Sequence, residues 1–192
     1  YDYSEKLNMS FGIKYNNKKN HSGINSTNLV QENIGDFNQF TLDYSLVYDT
    51  TNDIFYPSKG MLNKINFEIS PNSISDDSYY KLRLNNEIYL GSDEKESFFF
   101  ISNRLGLADS FENNLKTSNA FSLGGLNFKG FDYRGVGPTD GNIYLGGNNF
   151  YTVTLGYGGQ FLFDKKDNIN FRSFLTSGSI WGSDYSSNNE FK

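Results

Sequence analysis

Residues 79–90 read "YYKLRLNNEIYL", and their chemistry changes sides at almost every step. Tyr80, Leu82, Leu84, Ile88 and Leu90 fall on one side of an extended chain, and Lys81, Arg83, Asn85 and Glu87 on the other. A strand, with its repeat of two, keeps these sets apart, whereas a helix would mix them. The spacing predicts a strand with one apolar and one polar face.

The same alternation recurs on both sides of this stretch. In "EKLNMSFGIKYN" (5–16), Leu7, Met9, Phe11, Ile13 and Tyr15 oppose Asn8, Ser10, Gly12 and Lys14. In "FNQFTLDYSLVYD" (37–49), Phe40, Leu42, Tyr44, Leu46 and Tyr48 oppose Thr41, Asp43, Ser45 and Asp49. In "MLNKINFEIS" (61–70), Met61, Ile65, Phe67 and Ile69 oppose Lys64, Asn66, Glu68 and Ser70. In "FFFISNRLGLA" (98–108), Phe99, Ile101, Leu105 and Leu107 oppose Ser102, Arg104 and Gly106. In "FYTVTLGYGGQFLF" (150–163), Tyr151, Val153, Leu155 and Tyr157 oppose Thr152, Thr154, Gly156 and Gly158. In "INFRSFLTSG" (169–178), Ile169, Phe171 and Leu175 oppose Arg172, Phe174 and Thr176.

This makes about seven strands of roughly 10 to 14 residues, longer than the ~5–6 usual in globular sheets. They match the ~9–11 residues that cross a bilayer at a tilt. The connections alternate in length. Residues 17–37, "PNSISDDS" (71–78), about 110–148 and the tail "GSDYSSNNEFK" (182–192) are the longer ones. "GSDEKES" (91–97) and "DKKDN" (164–168) are tight turns, and "TTNDIFYPSKG" (50–60) is intermediate. Short turns on one side and long loops on the other suit an outer-membrane barrel with its N-terminus on the periplasmic side. The fold class expected is all-β, an antiparallel up-and-down transmembrane barrel segment. A soluble antiparallel barrel or sandwich that binds a ligand is the alternative, since its strands alternate too. An odd strand count is unusual for a closed bacterial barrel, so residues 1–192 read as one partial domain of a larger one. The start at Tyr1, without methionine, fits a mature or excised piece.

Composition narrows the function classes. Mean hydropathy is -0.59, yet 17% of the chain is aromatic, with 18 Phe and 14 Tyr. Disordered chains are poor in aromatics, so a folded β-protein is expected. The net charge of -5 and scattered basic residues argue against nucleic acid as a partner. There is no cysteine, and the lone His21 lies in a polar loop with no second ligand to make a metal site. No Ser/His/Asp set, catalytic carboxylate pair or phosphate loop stands out, so neither enzyme chemistry nor a cofactor is expected. No apolar run approaches the ~18 residues of a transmembrane helix, and no signal-peptide pattern is read in these residues.

One stretch breaks the alternation. "FSLGGLNFKGFDYRGVGP" (121–138) holds five glycines, two basic residues and four aromatics. Gly124 and Gly125 permit close backbone approach and positive φ, and Gly135, Gly137 and Pro138 give another tight turn. Phe121, Leu123, Leu126, Phe128, Phe131 and Tyr133 would each gain about 1.5–3 kcal/mol from full burial. Lipid does not accept irregular backbone, so the expected burial site is the lumen of the barrel.

"GGLNFKGFDYRGVGPTD" resembles the loop of the BamA-type outer-membrane assembly barrels, a superfamily that includes two-partner secretion transporters and organelle import and sorting barrels. "YDTTNDIFYPSKGMLNKINFE" resembles the family's aspartate-rich turn, with Asp49, Asp53, Pro57 and Gly60 setting it. "FRSFLTSGSIWG" is similar to a later strand of the family. The resemblance implies that Gly124, Gly125, Phe128, Lys129, Gly130 and Phe131 form a loop motif tucked into the lumen. The family's loop arginine is Lys129 here, and the wall positions facing it are Gly156, Phe174 and Thr176, without the family's acidic residues. The expected dock is therefore Lys129 over the Phe174 ring, supplemented by hydroxyl contacts. Trp181 and Tyr48 suit the interfacial belts, and Arg83, Arg104, Arg172, Glu68 and Glu87 suggest a solvated lumenal network. The resemblance further implies ATP-independent insertion of other β-barrels into the bacterial outer membrane. Its partners would be membrane lipid, unfolded outer-membrane proteins and accessory assembly lipoproteins. A polypeptide translocation pore of the same superfamily is the alternative within it.

Overall fold

Each alternating segment pairs with the next, so the polar and apolar faces run continuously from strand to strand. The computed structural model describes residues 6–20, 34–91, 97–112, 114–164 and 167–186. The strands are β1 (Leu7–Asn20), β2 (Gly35–Asp49), β3 (Gly60–Ser70), β4 (Tyr79–Gly91), β5 (Ser97–Ser110), β6 (Thr139–Asp140), β7 (Ile143–Tyr144), β8 (Asn149–Asp164) and β9 (Asp167–Trp181). Seven of them form one antiparallel sheet in the order β1-β2-β3-β4-β5-β8-β9. That sheet is not closed on itself. β6 and β7 form a separate two-stranded sheet within the connection from β5 to β8. Among the described residues there is no helix, and so none long and apolar enough to cross a membrane.

The register keeps like with like. Leu42 pairs with Ile69, Ile65 with Leu84, Leu84 with Leu105 and Leu155 with Leu175. A slip of one residue would turn every such side chain to the opposite face. The apolar face is the outward one and stays uncovered: Phe11 is 81% exposed and Leu175 75%. The large buried side chains lie on the other face, in two clusters. One gathers Tyr79, Ala108, Leu115, Phe121, Leu123, Phe128, Phe150 and Ile180. The second holds Tyr89, Phe98 and Phe100, with Tyr56 packed against it. A water-soluble sheet buries its apolar face; here that face is bare and the interior is filled by a loop and a turn.

Two boundaries differ from those expected. β1 continues to Asn20 and β2 begins at Gly35, with Lys18 opposite Phe37 and Lys19 opposite Asp36. Alternation fades at residue 17, but main-chain pairing does not need it, so the hairpin runs on with polar side chains. His21, the turns at 92–96 and 165–166, and Phe191 and Lys192 lie outside the described residues.

Candidate functional site

The connection from β5 to β8 is pinched at its neck. Phe121 N donates to Gly147 O at 2.9 Å, and Gly147 N donates back to Phe121 O at 3.0 Å. Beyond the neck the chain reverses at Gly124, whose φ is 126°. A Cβ there would lie 2.0 Å from Asp132 O, so glycine is required both by conformation and by space. Gly124 N donates to Asn127 Oδ1 at 2.9 Å, and Gly125 N donates to Phe131 O at 2.9 Å.

The root of this loop is fastened to the inner face of the wall. Asn119 Oδ1 accepts from Lys18 Nζ at 2.7 Å, and its amide nitrogen donates to Asp77 Oδ2 at 2.6 Å. Its carbonyl accepts from Lys81 Nζ at 2.5 Å. One asparagine thus joins β1, β4 and the segment before β4. Two residues on, the Phe121 ring meets the edge of Phe150 at 4.9 Å and takes Lys81 and Arg83 at 4.7 and 5.5 Å from its centroid. Gly106 makes room: a Cβ there would lie 2.2 Å from the Phe150 ring and 2.8 Å from Phe121.

The tip is held more lightly. Lys129 Nζ stands 5.2 Å from the Phe174 ring centroid, within the ~6 Å reach of a cation–π contact. Phe128 and Phe131 stack at 5.2 Å. The other two wall positions have neighbours of their own. The space over Gly156 is filled by Phe100, whose ring would be 2.2 Å from an added Cβ. Thr176 bonds to the hydroxyl of Thr154 at 2.9 Å. Of the loop's six large apolar residues, Phe121, Leu123 and Phe128 are buried, whereas Leu126 is 96%, Tyr133 80% and Phe131 52% exposed. The loop is a single layer, and only its wall side finds cover.

A turn enters the interior from the opposite end. Asp49 Oδ1 accepts from Thr51 N at 2.8 Å, and Asp53 Oδ1 accepts from Phe55 N and Tyr56 N at 2.7 and 3.0 Å. Pro57 is buried, and Gly60 closes the turn at φ 103°. The shape delivers Tyr56 across the inner face. Its hydroxyl lies 2.8 Å from Gly159 O and 3.0 Å from Phe171 O. Arg172 sits among the rings of Tyr56, Phe98, Phe100 and Tyr89, at 4.8, 5.5, 5.6 and 5.9 Å.

The expected network of lumenal charges takes another form. Glu68 accepts from Tyr79 OH and Glu87 from Tyr89 OH, each at 2.6 Å. Arg83 and Arg172 rest on ring faces, and Arg104 donates to Asn127 O at 3.0 Å with Phe150 at 5.8 Å. For these five residues, rings, phenols and a loop carbonyl occupy the places that ion pairs would take. Sequence reasoning missed Asn119 and Tyr56. Asn119 carries no pattern at all, while Tyr56 precedes a proline, which favours an extended chain but not a direction. Among the described residues no group of acidic or histidine side chains could hold a metal ion.

Comparison with known proteins fits this geometry. A crystal structure of BamA from Haemophilus ducreyi lacking POTRA domains 1–3 superposes with a TM-score of 0.67 at 20% identity. The match covers 77% of this chain and 31% of that one, so the chain spans about a third of that protein's structure. The likeness extends to the seven-stranded wall as a piece of a barrel. No curated protein matches the sequence. The Omp85 superfamily domain matches residues 1–192. The chain therefore belongs to the Omp85 superfamily.

Proposed function

We propose that the chain is part of the barrel of a BamA-like factor that folds and inserts other β-barrels into the bacterial outer membrane, without a cofactor or an enzymatic step. The observation that carries this reading is the glycine-rich loop fixed to the inner face of an Omp85 wall whose outward face is apolar. An apolar outer face keeps the wall in lipid. Strand edges in lipid need partners, and an incoming strand that pairs with an edge gains backbone hydrogen bonds that lipid does not offer. Unfolded outer-membrane proteins are the clients, and accessory lipoproteins are candidate partners.

Translocation of a polypeptide through the lumen would require the loop to withdraw. The root contacts of Asn119 and Phe121 favour a loop that stays. The test is reconstitution of the full-length protein in lipid vesicles with a urea-unfolded barrel client. Faster acquisition of protease-resistant, membrane-inserted client is the expected result. Passage of a soluble polypeptide into the vesicle, with no faster insertion, would replace this reading by the translocation pore.

A further inference from the structure

Between the tip of the loop and β4, β5, β8 and β9 lies a cavity of about 520 Å³. Its charged lining is Arg104, Lys129, Arg172 and Glu87. The chain as a whole is acidic, with 22 Asp and Glu against 17 Lys and Arg. The cavity reverses that balance, with three cations to one carboxylate. Composition therefore does not account for the positive charge; placement does.

Among the described residues, none of the three cations forms an ion pair. Lys129 lies over Phe174, Arg172 among four rings, and Arg104 on a loop carbonyl and a ring. Ring contacts hold the face of a guanidinium; apart from the N–H that Arg104 gives to Asn127 O, they leave its donors for a planar acceptor. The single carboxylate, Glu87, already accepts the Tyr89 hydroxyl. Hydroxyls of Ser102 and Thr152 add neutral donors to the lining. The volume lies in the range of sites that enclose a small ligand or a few residues of peptide.

We propose that this cavity binds a side-chain carboxylate of a polypeptide, received between Arg104, Lys129 and Arg172. Two guanidinium forks suit the two-oxygen plane of Asp or Glu. That the guest is a polypeptide rests on the proposed function; the preference for a carboxylate rests on the cavity alone.

The test uses the full-length protein in nanodiscs and two fluorescent β-hairpin peptides of one sequence, one turning at Asp-Gly and the other at Asn-Gly. Both pairs favour the same tight turn, so the probes differ in charge and not in shape. The Asp-Gly peptide is expected to bind about tenfold more tightly, with the gap shrinking at high salt. Arg172→Gln and Arg104→Gln are expected to abolish the gap. Glu87→Gln, which removes the competing carboxylate while keeping an acceptor for Tyr89, is expected to widen it. Lys14→Gln, at a distant ion pair with Asp43, is expected to leave it unchanged. Because Glu87→Gln must act in the opposite direction, misfolding of an arginine variant cannot imitate the pattern. Equal binding of the two peptides would overturn the proposal. So would a gap unaffected by the arginines, or displacement of neither peptide while inorganic phosphate binds. Client insertion measured on the same samples separates the two ideas. Insertion with no carboxylate preference overturns the site alone, and a carboxylate preference without insertion overturns the function alone.

Discussion

From Lys116 to Leu123 the long connection is held by charge, amide and ring together; from Leu126 to Tyr133 it rests chiefly on the Phe128 side chain, the bond from Arg104 to Asn127 O and one lysine over one ring. At the root, Asn119 has bonds to Lys18, Asp77 and Lys81, and Phe121 and Leu123 are buried. At the tip, Leu126 and Tyr133 face open space. The resemblance draws the eye to Lys129, yet most of the burial and hydrogen bonding is at the other end. A loop so held is fixed at its base and free to adjust at its end, a suitable arrangement for a tip that borders the cationic cavity.

The strongest way to break this contrast is Phe121→Ala in the full-length protein. It removes the ring from Phe150, Lys81 and Arg83 at once. A loss of about 3–5 kcal/mol is expected. The midpoint of denaturant unfolding in detergent should fall, and limited proteolysis should cut the loop near its root. An unchanged cleavage pattern would show that the root is not the anchor.

Lys81→Met should come next. It keeps the side chain's length and removes the donor to Asn119 O. A buried carbonyl left without its partner costs about 1–3 kcal/mol. Gly106→Ala tests the same root from the wall. The added Cβ would press on Phe150 and Phe121, and overpacking of this kind costs about 1–3 kcal/mol. Both variants should raise root cleavage, whereas Gly130→Ala should not. A Cβ at Gly130 meets nothing within 4 Å, although its φ of 94° adds local strain.

The wall was legible because two media wrote it. Every second residue must suit a different solvent, and that requirement shows at Leu82 and Leu84 against Lys81 and Arg83 without any knowledge of neighbours. The register follows from the same rule. Gly124 and Gly125 were legible too, because tight reversals demand glycine. Asn119 was not. A three-way hydrogen-bonding residue in "LKTSNAF" looks like any polar loop residue until folding brings up Lys18, more than a hundred positions away. The charges were misread for a related reason. Arg172 and Glu87 show their signs in the sequence, but the rings of Tyr56 and the hydroxyl of Tyr89 that receive them become neighbours only in the fold.

Lys129→Ala is the smallest of these changes and sharpens the comparison most. The contact with Phe174 spans 5.2 Å, and both Lys129 and Phe174 keep exposed surface in this chain. A cation–π contact in such a setting contributes about 0.5–1 kcal/mol. Unfolding midpoints should therefore hardly move, and cleavage at the root should stay as it is. Cleavage at the tip, around Leu126 to Tyr133, should increase several-fold, because a loss of about 1 kcal/mol from a local opening equilibrium multiplies the open fraction by about five. Lys129→Arg should restore protection, since a guanidinium reaches the same ring face at least as well. If Lys129→Ala destabilised the protein as much as Phe121→Ala, tip and root would be one cooperative unit. The loop would then move as a whole or not at all, which would weaken the case for a yielding tip beside the cavity.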